Sequence, residues 1–478
     1  MTSDLWSCGA ADLVAMMRAR TVSSREVVTA FLDRIEALNP AFNAIISRRP
    51  NDEVLDEADA ADRALLAGEE VGALHGLPHA IKDTANTAGM RSTYGSPLFA
   101  DQVPHADGLA VGRVRQAGAI FIGKTNVPEL GLGSHTYNPI FGATGNAWNP
   151  AFSAGGSSGG AAVAVAQRML PMADGSDLGG SLRNPGGWNN VFGFRPSQGR
   201  VPSWPRTDAF FAQLVTEGPI ARCAADLALL LGVQSGPDAR APLSLRDTVD
   251  WSAPLDVDLD GRRVAWLADL GGHLPMEAGV LSVCEAALTT LADAGLTVEA
   301  VTPAFDWNRL WRCFVVLRQL DLGRDLGVAY SDPALRDVMK PELQWELSEA
   351  AELDVSDVQR AIADRTSWYD AALRLFDEFD YLALPSAQVF PFPIEETWPK
   401  AIAGQPMDSY HRWMEVAVPG TLSGCPVVSI PGGFGGEHDL PMGVQMIGRP
   451  RDDRSLLELV RCWEQIAPWV ARTPPAPR

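Results

Sequence analysis

The order of hydrophobic and polar residues along the chain predicts helices that alternate with short, buried strands. Apolar residues at helical spacing predict two amphipathic helices over residues 9–38, with Ser23 or Ser24 as the cap of the second. The same spacing predicts further helices at 53–67, 107–117, 221–232, 277–294, 307–328, 355–379 and 452–466. Short apolar runs predict strands at 79–81, 119–122, 264–267, 381–384, 427–430 and 444–447. This alternation is typical of an α/β fold with a mostly buried sheet.

Glycine and proline mark two segments that interrupt this alternation. Thirteen of the 44 glycines lie between Gly142 and Gly199, a density that requires backbone conformations closed to other residues. Prolines and acidic residues at 236–260 predict a loop at the border of a helical excursion. We interpret the chain, residues 1–478, as one domain.

Composition and charge exclude several classes of protein. The chain is 46% hydrophobic and 21% charged, which is typical of a folded globular protein. Its formal charge of −20 argues against nucleic acid as a partner, because phosphate binding needs a dense positive field. No apolar run approaches the ~18 residues of a membrane span, and the first residues lack the basic and apolar regions of a secretory signal. We therefore expect a cytoplasmic protein with no membrane partner.

Metal and cofactor motifs match this sequence only in part. The six cysteines form no CxxC pair, which predicts free thiols. His75 and His79 have the spacing of a metal pair, but Gly76 and Pro78 disfavour the helix that such a pair needs. Residues 118–125 match the sequence motif of a phosphate-binding loop. The four residues that would curl around the phosphate are, however, apolar residues of a predicted strand. We expect neither a metal nor a cofactor.

A nucleophile motif gives one enzymatic interpretation. Gly155-Gly156-Ser157-Ser158-Gly159 matches the GxSxG elbow of α/β-hydrolases, in which Ser157 would be the nucleophile. That fold needs a histidine later in the chain, and the candidates are His411 and His438. An esterase of this type is therefore one alternative.

Lysine is rare, and one lysine stands at the end of a predicted strand. Only four of the 39 basic residues are lysine: Lys82, Lys124, Lys340 and Lys400. Lys82 directly follows the apolar run 79–81, where burial would disfavour its ammonium form and lower its pKa. A neutral lysine can act as a general base near neutral pH. Together with the glycine-flanked Ser157 and Ser181, Lys82 would complete a set of nucleophile, relay and base.

On these motifs the chain resembles the amidase signature family of serine hydrolases. The family's Gly/Ser-rich stretch is matched from Ala154 to about Val201, and flanking blocks are matched at 218–222 and 441–450. The resemblance implies an α/β amidase signature fold, with a large mixed central β-sheet flanked by α-helices on both faces. It divides the domain into a signature core at about 70–235, a helical excursion at about 240–380 and a C-terminal sheet return at about 381–470.

The resemblance also implies roles for individual residues. Ser181 would attack an amide carbonyl, Ser157, held by an unusual cis peptide bond, would relay the proton, and Lys82 would be the base. The oxyanion would be held by backbone N–H groups of Leu178, Gly179, Gly180 and Ser181. Supporting positions would be Asp177, Arg183 and Ser158. The run 186–191 and Arg195 differ from the residues that are usual in the family.

The expected activity is hydrolysis of a carboxamide to a carboxylate and ammonia or an amine, through an acyl-enzyme on Ser181. We expect a small apolar or aryl amide as substrate, with Trp204, Phe210 and Trp311 as candidate pocket residues. A second alternative is the glutaminase-type component of a tRNA-dependent amidotransferase, which would depend on a partner. The resemblance also allows a homodimer, since homodimers are usual in the family.

Overall fold

The structure is a computed structural model that describes residues 4–212 and 214–475. Within these ranges the α-helices are α1 (Ala10–Arg18), α2 (Ser24–Phe42), α3 (Asn51–Ala67), α4 (Leu109–Gln116), α5 (Gly159–Ala166), α6 (Arg183–Trp188), α7 (Ala224–Gln234), α8 (Val280–Asp293), α9 (Trp307–Ser331), α10 (Pro333–Arg336), α11 (Pro341–Glu352), α12 (Val355–Phe376), α13 (Val418–Ser423) and α14 (Asp453–Ile466). Each helix predicted from apolar spacing is present, with its ends within four residues of those expected. Ser23 caps α2 and forms a capping box with Glu26.

The strands described in the same ranges are β1 (Ile45–Ile46), β2 (Pro78–Lys82), β3 (Ile120–Thr125), β4 (Tyr137–Asn138), β5 (Gly142–Ala143), β6 (Met172–Asp177), β7 (Phe192–Arg195), β8 (Thr216–Ala221), β9 (Arg263–Trp266), β10 (Thr297–Ala300), β11 (Tyr381–Pro385), β12 (Ala401–Ile402), β13 (Gln405–Pro406), β14 (Val427–Gly435) and β15 (Leu440–Ile447). The six predicted strands are confirmed. The glycine-rich stretch holds strands and short helices in addition to its loops.

The central sheet has eight strands in the order β10-β9-β11-β15-β14-β7-β8-β6. Strand β9 lies parallel to both β10 and β11, whereas the remaining pairs are antiparallel. The sheet is therefore mixed, as the resemblance implied. Pairing of β14 with β7 joins the C-terminal part of the chain to the glycine-rich core.

Helices cover both faces of this sheet. Alternate residues of β9 belong to different hydrophobic clusters: Val264 belongs to the cluster that includes Cys284 and Leu288 of α8, while Ala265 belongs to the cluster that includes residues of α9 and α12. Since successive strand residues point to opposite faces, each cluster buries one face. The segment at 240–380 is not purely helical, because it also contributes β9 and β10 to the sheet.

A small three-stranded sheet, ordered β1-β3-β2, lies beside the main one. The backbone N–H of Lys82, the last residue of β2, donates to both oxygens of Asp174 on β6, at 3.3 Å each. This contact fixes the end of β2 against the edge strand of the central sheet. In the described part of the chain, no helix is long and apolar enough to cross a membrane.

Candidate active site

Lys82 extends from the end of β2 into a cluster of serine oxygens. Its Nζ lies 2.8 Å from Ser157 Oγ and 2.8 Å from Ser158 Oγ. It also lies 3.0 Å from Ser176 Oγ and 3.1 Å from the Ser176 carbonyl oxygen. The carbonyl can only accept a hydrogen bond, so it takes one N–H of Lys82. A neutral amine then keeps a lone pair into which a serine hydroxyl can donate.

Burial lowers the pKa of Lys82 to about 7. The cause is desolvation of the ammonium, and the charges of Asp177, Asp174 and Glu217 act in the opposite direction. A lysine with this pKa is partly neutral near pH 7, which is the form that can accept a proton.

Ser157 lies in a tight glycine turn just before α5. The peptide bond between Gly156 and Ser157 is cis, and Gly155 has a φ of +74°, a conformation that favours glycine. A glycine on the facing strand is required for close packing. A Cβ on Gly175 of β6 would lie 2.8 Å from Ser158 Oγ, closer than side-chain atoms approach. The glycines therefore let the serine loop lie directly against β6.

Ser181 lies in the turn that joins β6 to α6. The carboxylate of Asp177 holds this turn, since it accepts hydrogen bonds from the N–H of Gly180 at 2.9 Å and of Leu182 at 3.1 Å. The carbonyl of Ser181 accepts the N–H of Ser158 at 3.2 Å, which ties the two serine loops together. Ser181 lines the same cavity as Lys82 and Ser157.

A buried ion pair supports the Ser181 turn. Arg183 donates from Nε and Nη2 to the two carboxylate oxygens of Asp177, at 3.0 and 2.9 Å. Its other N–H groups donate to the Ala417 carbonyl, Gln445 Oε1 and Thr421 Oγ1. The two arginines at 183 and 195 hold the pKa of Asp177 well below its usual range. Loss of one partner of such a buried pair costs about 3–5 kcal/mol because it leaves a buried charge unpaired, so the turn depends on both Asp177 and Arg183.

Arg195 stands where the family that the chain resembles usually has a different residue, and it also contacts this turn. Its Nη1 donates to the Asp177 carbonyl oxygen, and its Nη2 donates to the Leu214 carbonyl at 2.9 Å. Arg195 thus fixes the end of β6 through groups that Arg183 does not contact.

Three of the four predicted oxyanion donors are free to bind a ligand. In the part of the chain that the structure describes, the N–H groups of Leu178, Gly179 and Ser181 have no hydrogen-bond acceptor, and all three residues line the cavity. Gly180 differs from the prediction, because its N–H already donates to Asp177. The candidate oxyanion site therefore consists of the amides on either side of Gly180.

The serines and Lys82 lie in a cavity of about 660 Å³. This size is typical of a small-molecule site. Residues that sequence reasoning missed also line it, including Ser176, Asp174 and Glu217. The strand ladder between β6 and β8 pairs Ser176 with Glu217, so a prediction of these two strands would have brought both residues to the site.

The three aromatic residues predicted for the substrate pocket do not line this cavity. Trp311 is buried against His411 and lies under the guanidinium of Arg412. The side chains of Trp204 and Phe210 are 38% and 62% exposed, on the loop whose residues 205–207 do reach the cavity. Aromatic residues outside catalytic motifs are more often core than pocket residues, and Trp311 belongs to the core.

Neither histidine of the α/β-hydrolase alternative approaches Ser157. His411 stacks on Tyr410 with ring centroids 4.7 Å apart, and burial lowers its pKa to about 3. His438 packs against Phe152. Since neither residue lines the cavity that contains Ser157, this alternative has no base.

Lys124, the lysine of the string that fits a phosphate-binding loop, has a structural role. Its Nζ donates to the Ala85 carbonyl at 2.6 Å and to Thr87 Oγ1 at 2.8 Å. Lys124 does not line the cavity that contains the serines, and its hydrogen bonds hold the loop after β2.

The fold and the cavity thus define an α/β enzyme whose polar centre consists of serines and a buried lysine. The chain belongs to the amidase family, whose family model, described as Amidase, matches residues 26–457. The protein is accordingly an amidohydrolase.

Similar proteins include both hydrolases and amidotransferase components. An acylamidase from Rhodococcus erythropolis is 33% identical over 476 residues, which cover 97% of this chain and 96% of that protein. The A component of the glutamyl-tRNA(Gln) amidotransferase from Thermosynechococcus vestitus is 33% identical over 477 residues, 95% of this chain and 96% of that protein. The crystal structure of a bacterial aryl acylamidase of the amidase signature family has a TM-score of 0.90 and 29% identity, covering 97% of this chain and 96% of that one.

Proposed function

We propose that the chain hydrolyses a carboxamide through an acyl-enzyme on Ser181, with Ser157 as proton relay and Lys82 as general base. The observation that carries this proposal is the 2.8 Å contact between Lys82 Nζ and Ser157 Oγ in the cavity that Ser181 also lines. Within the described residues no carboxylate forms an ion pair with Lys82, and the nearby Asp177 is paired with Arg183 and Arg195 instead.

The reaction proceeds in two acyl-transfer steps. Neutral Lys82 accepts a proton from Ser157, which takes one from Ser181 as the Ser181 Oγ attacks the carbonyl carbon. The amides of Leu178, Gly179 and Ser181 donate to the oxyanion that forms. Lys82 then returns the proton through Ser157 to the leaving nitrogen, and the C–N bond breaks. Water attacks the ester by the same proton route and releases the carboxylate.

The lining of the cavity supports a small apolar or aryl amide as substrate. Apolar residues of several elements line one part of it: Ile81, Val111, Val114, Leu322 and Met414. Charged residues such as Arg318, Asp321 and Arg324 line another part. An aromatic or aliphatic group would bury its surface against the apolar residues. The similarity to a bacterial aryl acylamidase supports the same substrate class.

A panel of amides tests this proposal. The purified chain should hydrolyse anilides and other aryl amides, with kcat/KM falling by at least about tenfold for acetamide-sized substrates that cannot fill the cavity. Product amine and carboxylate are measured by chromatography. Equal or better turnover of short aliphatic amides would contradict the proposed substrate class.

Sequence identity to the A component of amidotransferases favours a second candidate function, release of ammonia from glutamine within a complex. The same panel separates the two functions when glutamine is included. Turnover of aryl amides by the chain alone supports the amidase. Turnover of glutamine only after addition of the other amidotransferase components would establish the second function.

The pKa of Lys82 predicts the pH dependence of hydrolysis. Its pKa is lowered to about 7, and only the neutral amine accepts a proton, so kcat/KM should rise with pH through about 7. Below that pH it should fall about tenfold per unit. Initial rates from pH 5 to 9 measure the profile. The exposed Lys400→Gln variant should show the same rise of kcat/KM with pH. A profile without an ionisation near pH 7 would contradict Lys82 as the base.

A further inference from the structure

A second cavity, separate from the one that contains the serines, is lined partly by residues of the glycine-rich core. It has a volume of about 220 Å³, and its lining includes Arg168, Arg222, Arg472, Asn190 and Glu464. Three arginines around one small cavity are unexpected in a chain with a formal charge of −20. None of the three forms an ion pair with a carboxylate within the residues that the structure describes.

The donor groups of two of these arginines are unused. The Arg168 side chain makes no hydrogen bond in the described parts of the chain, and its Nε is buried without an acceptor. Arg472 is held by aromatic stacking, with its guanidinium carbon 3.8 Å from the ring centroid of Phe434 and 5.2 Å from that of Trp148. Stacking fixes the plane of the guanidinium and leaves its N–H edge available. A buried donor without an acceptor is rare in folded proteins, so Arg168 Nε indicates a missing partner. Arg472 is exposed, and its N–H edge is open to a ligand from solvent.

The charge of Arg168 repels two neighbouring arginines, Arg222 in the lining and Arg34 beside it. Arg168 and the nearby Arg34 have lowered pKa values because burial desolvates them, and the charge of Arg168 adds to the effect on Arg34. Arg222 is anchored by the carbonyl oxygens of Cys8, Val165 and Leu170. Burial and the charge of Arg168 lower its pKa, and the charge of Asp226 acts in the opposite direction. Glu464 is the one acidic residue in the described lining. The three lining arginines and Glu464 leave a net charge of about +2, which a dianion would neutralise.

From this geometry we infer that the cavity lined by Arg168, Arg222 and Arg472 binds a small dianionic oxyanion, phosphate or the phosphoryl group of a small metabolite. Planar guanidinium groups donate pairs of N–H groups to such oxygens. Asn190 fits the same ligand, because its Oδ1 is buried without a donor and monohydrogen phosphate carries one O–H group. Asn190 Nδ2 donates to the Trp469 carbonyl, which leaves Oδ1 as the atom that can accept a hydrogen bond from a ligand.

The proposed site gives a role to residues that lie outside the serine cavity. Asn189 and Asn190 belong to the run that differs from the family pattern after the nucleophile. Asn189 donates to the Ala154 carbonyl and accepts the N–H of Ala147, so it fixes the cavity wall to the loop before Ser157. The arginines are contributed by the segments after α5, after β8 and near the C-terminus.

Isothermal titration calorimetry of the full chain with sodium phosphate tests this inference. Chloride at matched ionic strength is the reference, and no amide substrate is needed, so the result is independent of the proposed hydrolysis. We expect saturable binding of one phosphate per chain. Arg168→Gln and Arg472→Gln should each weaken it by at least about tenfold, because each removes a charge-assisted hydrogen bond.

Two controls distinguish a specific site from general charge effects. The exposed Arg374→Gln variant on α12 removes the same charge elsewhere and should bind phosphate like the unmodified chain. Unfolding temperatures in chloride show whether the cavity variants are folded, and Arg472→Gln leaves the hydrogen bonds of the core unchanged. Absence of saturable binding, or equal affinity in folded Arg168→Gln, Arg472→Gln and unmodified chains, would overturn the inference.

Discussion

Replacement of Ser181 by alanine should reduce amide hydrolysis by at least about 10³-fold. The expected loss is this large because Ser181 Oγ forms the bond to the acyl group, and a nucleophile has no substitute in its site. The turn itself should persist, since Asp177 and Arg183 hold it through groups other than the Ser181 hydroxyl. Initial rates with an aryl amide, together with unfolding temperature, measure the effect.

Two matched variants make the Ser181 result specific. Ser429→Ala removes a buried hydroxyl that has no hydrogen-bond partner and lies outside the cavity lining, so it should retain full activity. Ser157→Ala should leave a weakened enzyme, because water can replace part of a relay. Retention of activity in Ser181→Ala, or a larger loss in Ser157→Ala, would contradict the assignment of the nucleophile.

Replacement of Lys82 by arginine should be nearly as damaging, with a loss of about 10²–10⁴-fold in kcat/KM, the usual contribution of a general base. Arginine keeps the positive charge and the hydrogen-bond donors. It stays protonated at every accessible pH, however, and cannot accept the proton of Ser157. The variant therefore separates the role of a base from that of a cation.

The control for this variant is Lys400→Arg at an exposed position, which should have the activity of the unmodified chain. Lys82→Met tests the same step without the bulk of a guanidinium. If Lys82→Arg were folded and active, Lys82 would act through its charge alone, and the proposed proton route would be wrong.

Apolar periodicity predicted the long amphipathic helices and the most apolar strands. It missed α5, α6, α10, α11 and α13 and half of the central sheet, namely β6, β7, β8 and β10. Strands β6 and β8 were missed, since Met172–Asp177 and Thr216–Ala221 contain polar residues, glycine or proline that mask a strand pattern. These polar residues form the site: Ser176 contacts Lys82, and Asp177 holds the Ser181 turn.

Residues of the site were easier to predict than the pocket around them. Lys82, Ser157 and Ser181 stand in motifs whose spacing is local, so resemblance could identify them, and the structure brings them to one cavity. The pocket depends on contacts between distant segments. Leu322 of α9, Val111 of α4 and Met414 meet there only through the packing of the sheet. Composition could not tell such residues from core residues, which explains the error at Trp311.

The most direct test of the proposed mechanism is to map the serine that becomes acylated. The protein is treated with a fluorophosphonate, which forms a stable bond with an activated serine, and is then digested and analysed by mass spectrometry. We expect one label on Ser181, at a rate that falls below pH 7 and becomes negligible in Lys82→Arg. Labelling of Ser157 in place of Ser181, or labelling of Ser181 that does not depend on Lys82, would contradict the proposed roles of these residues.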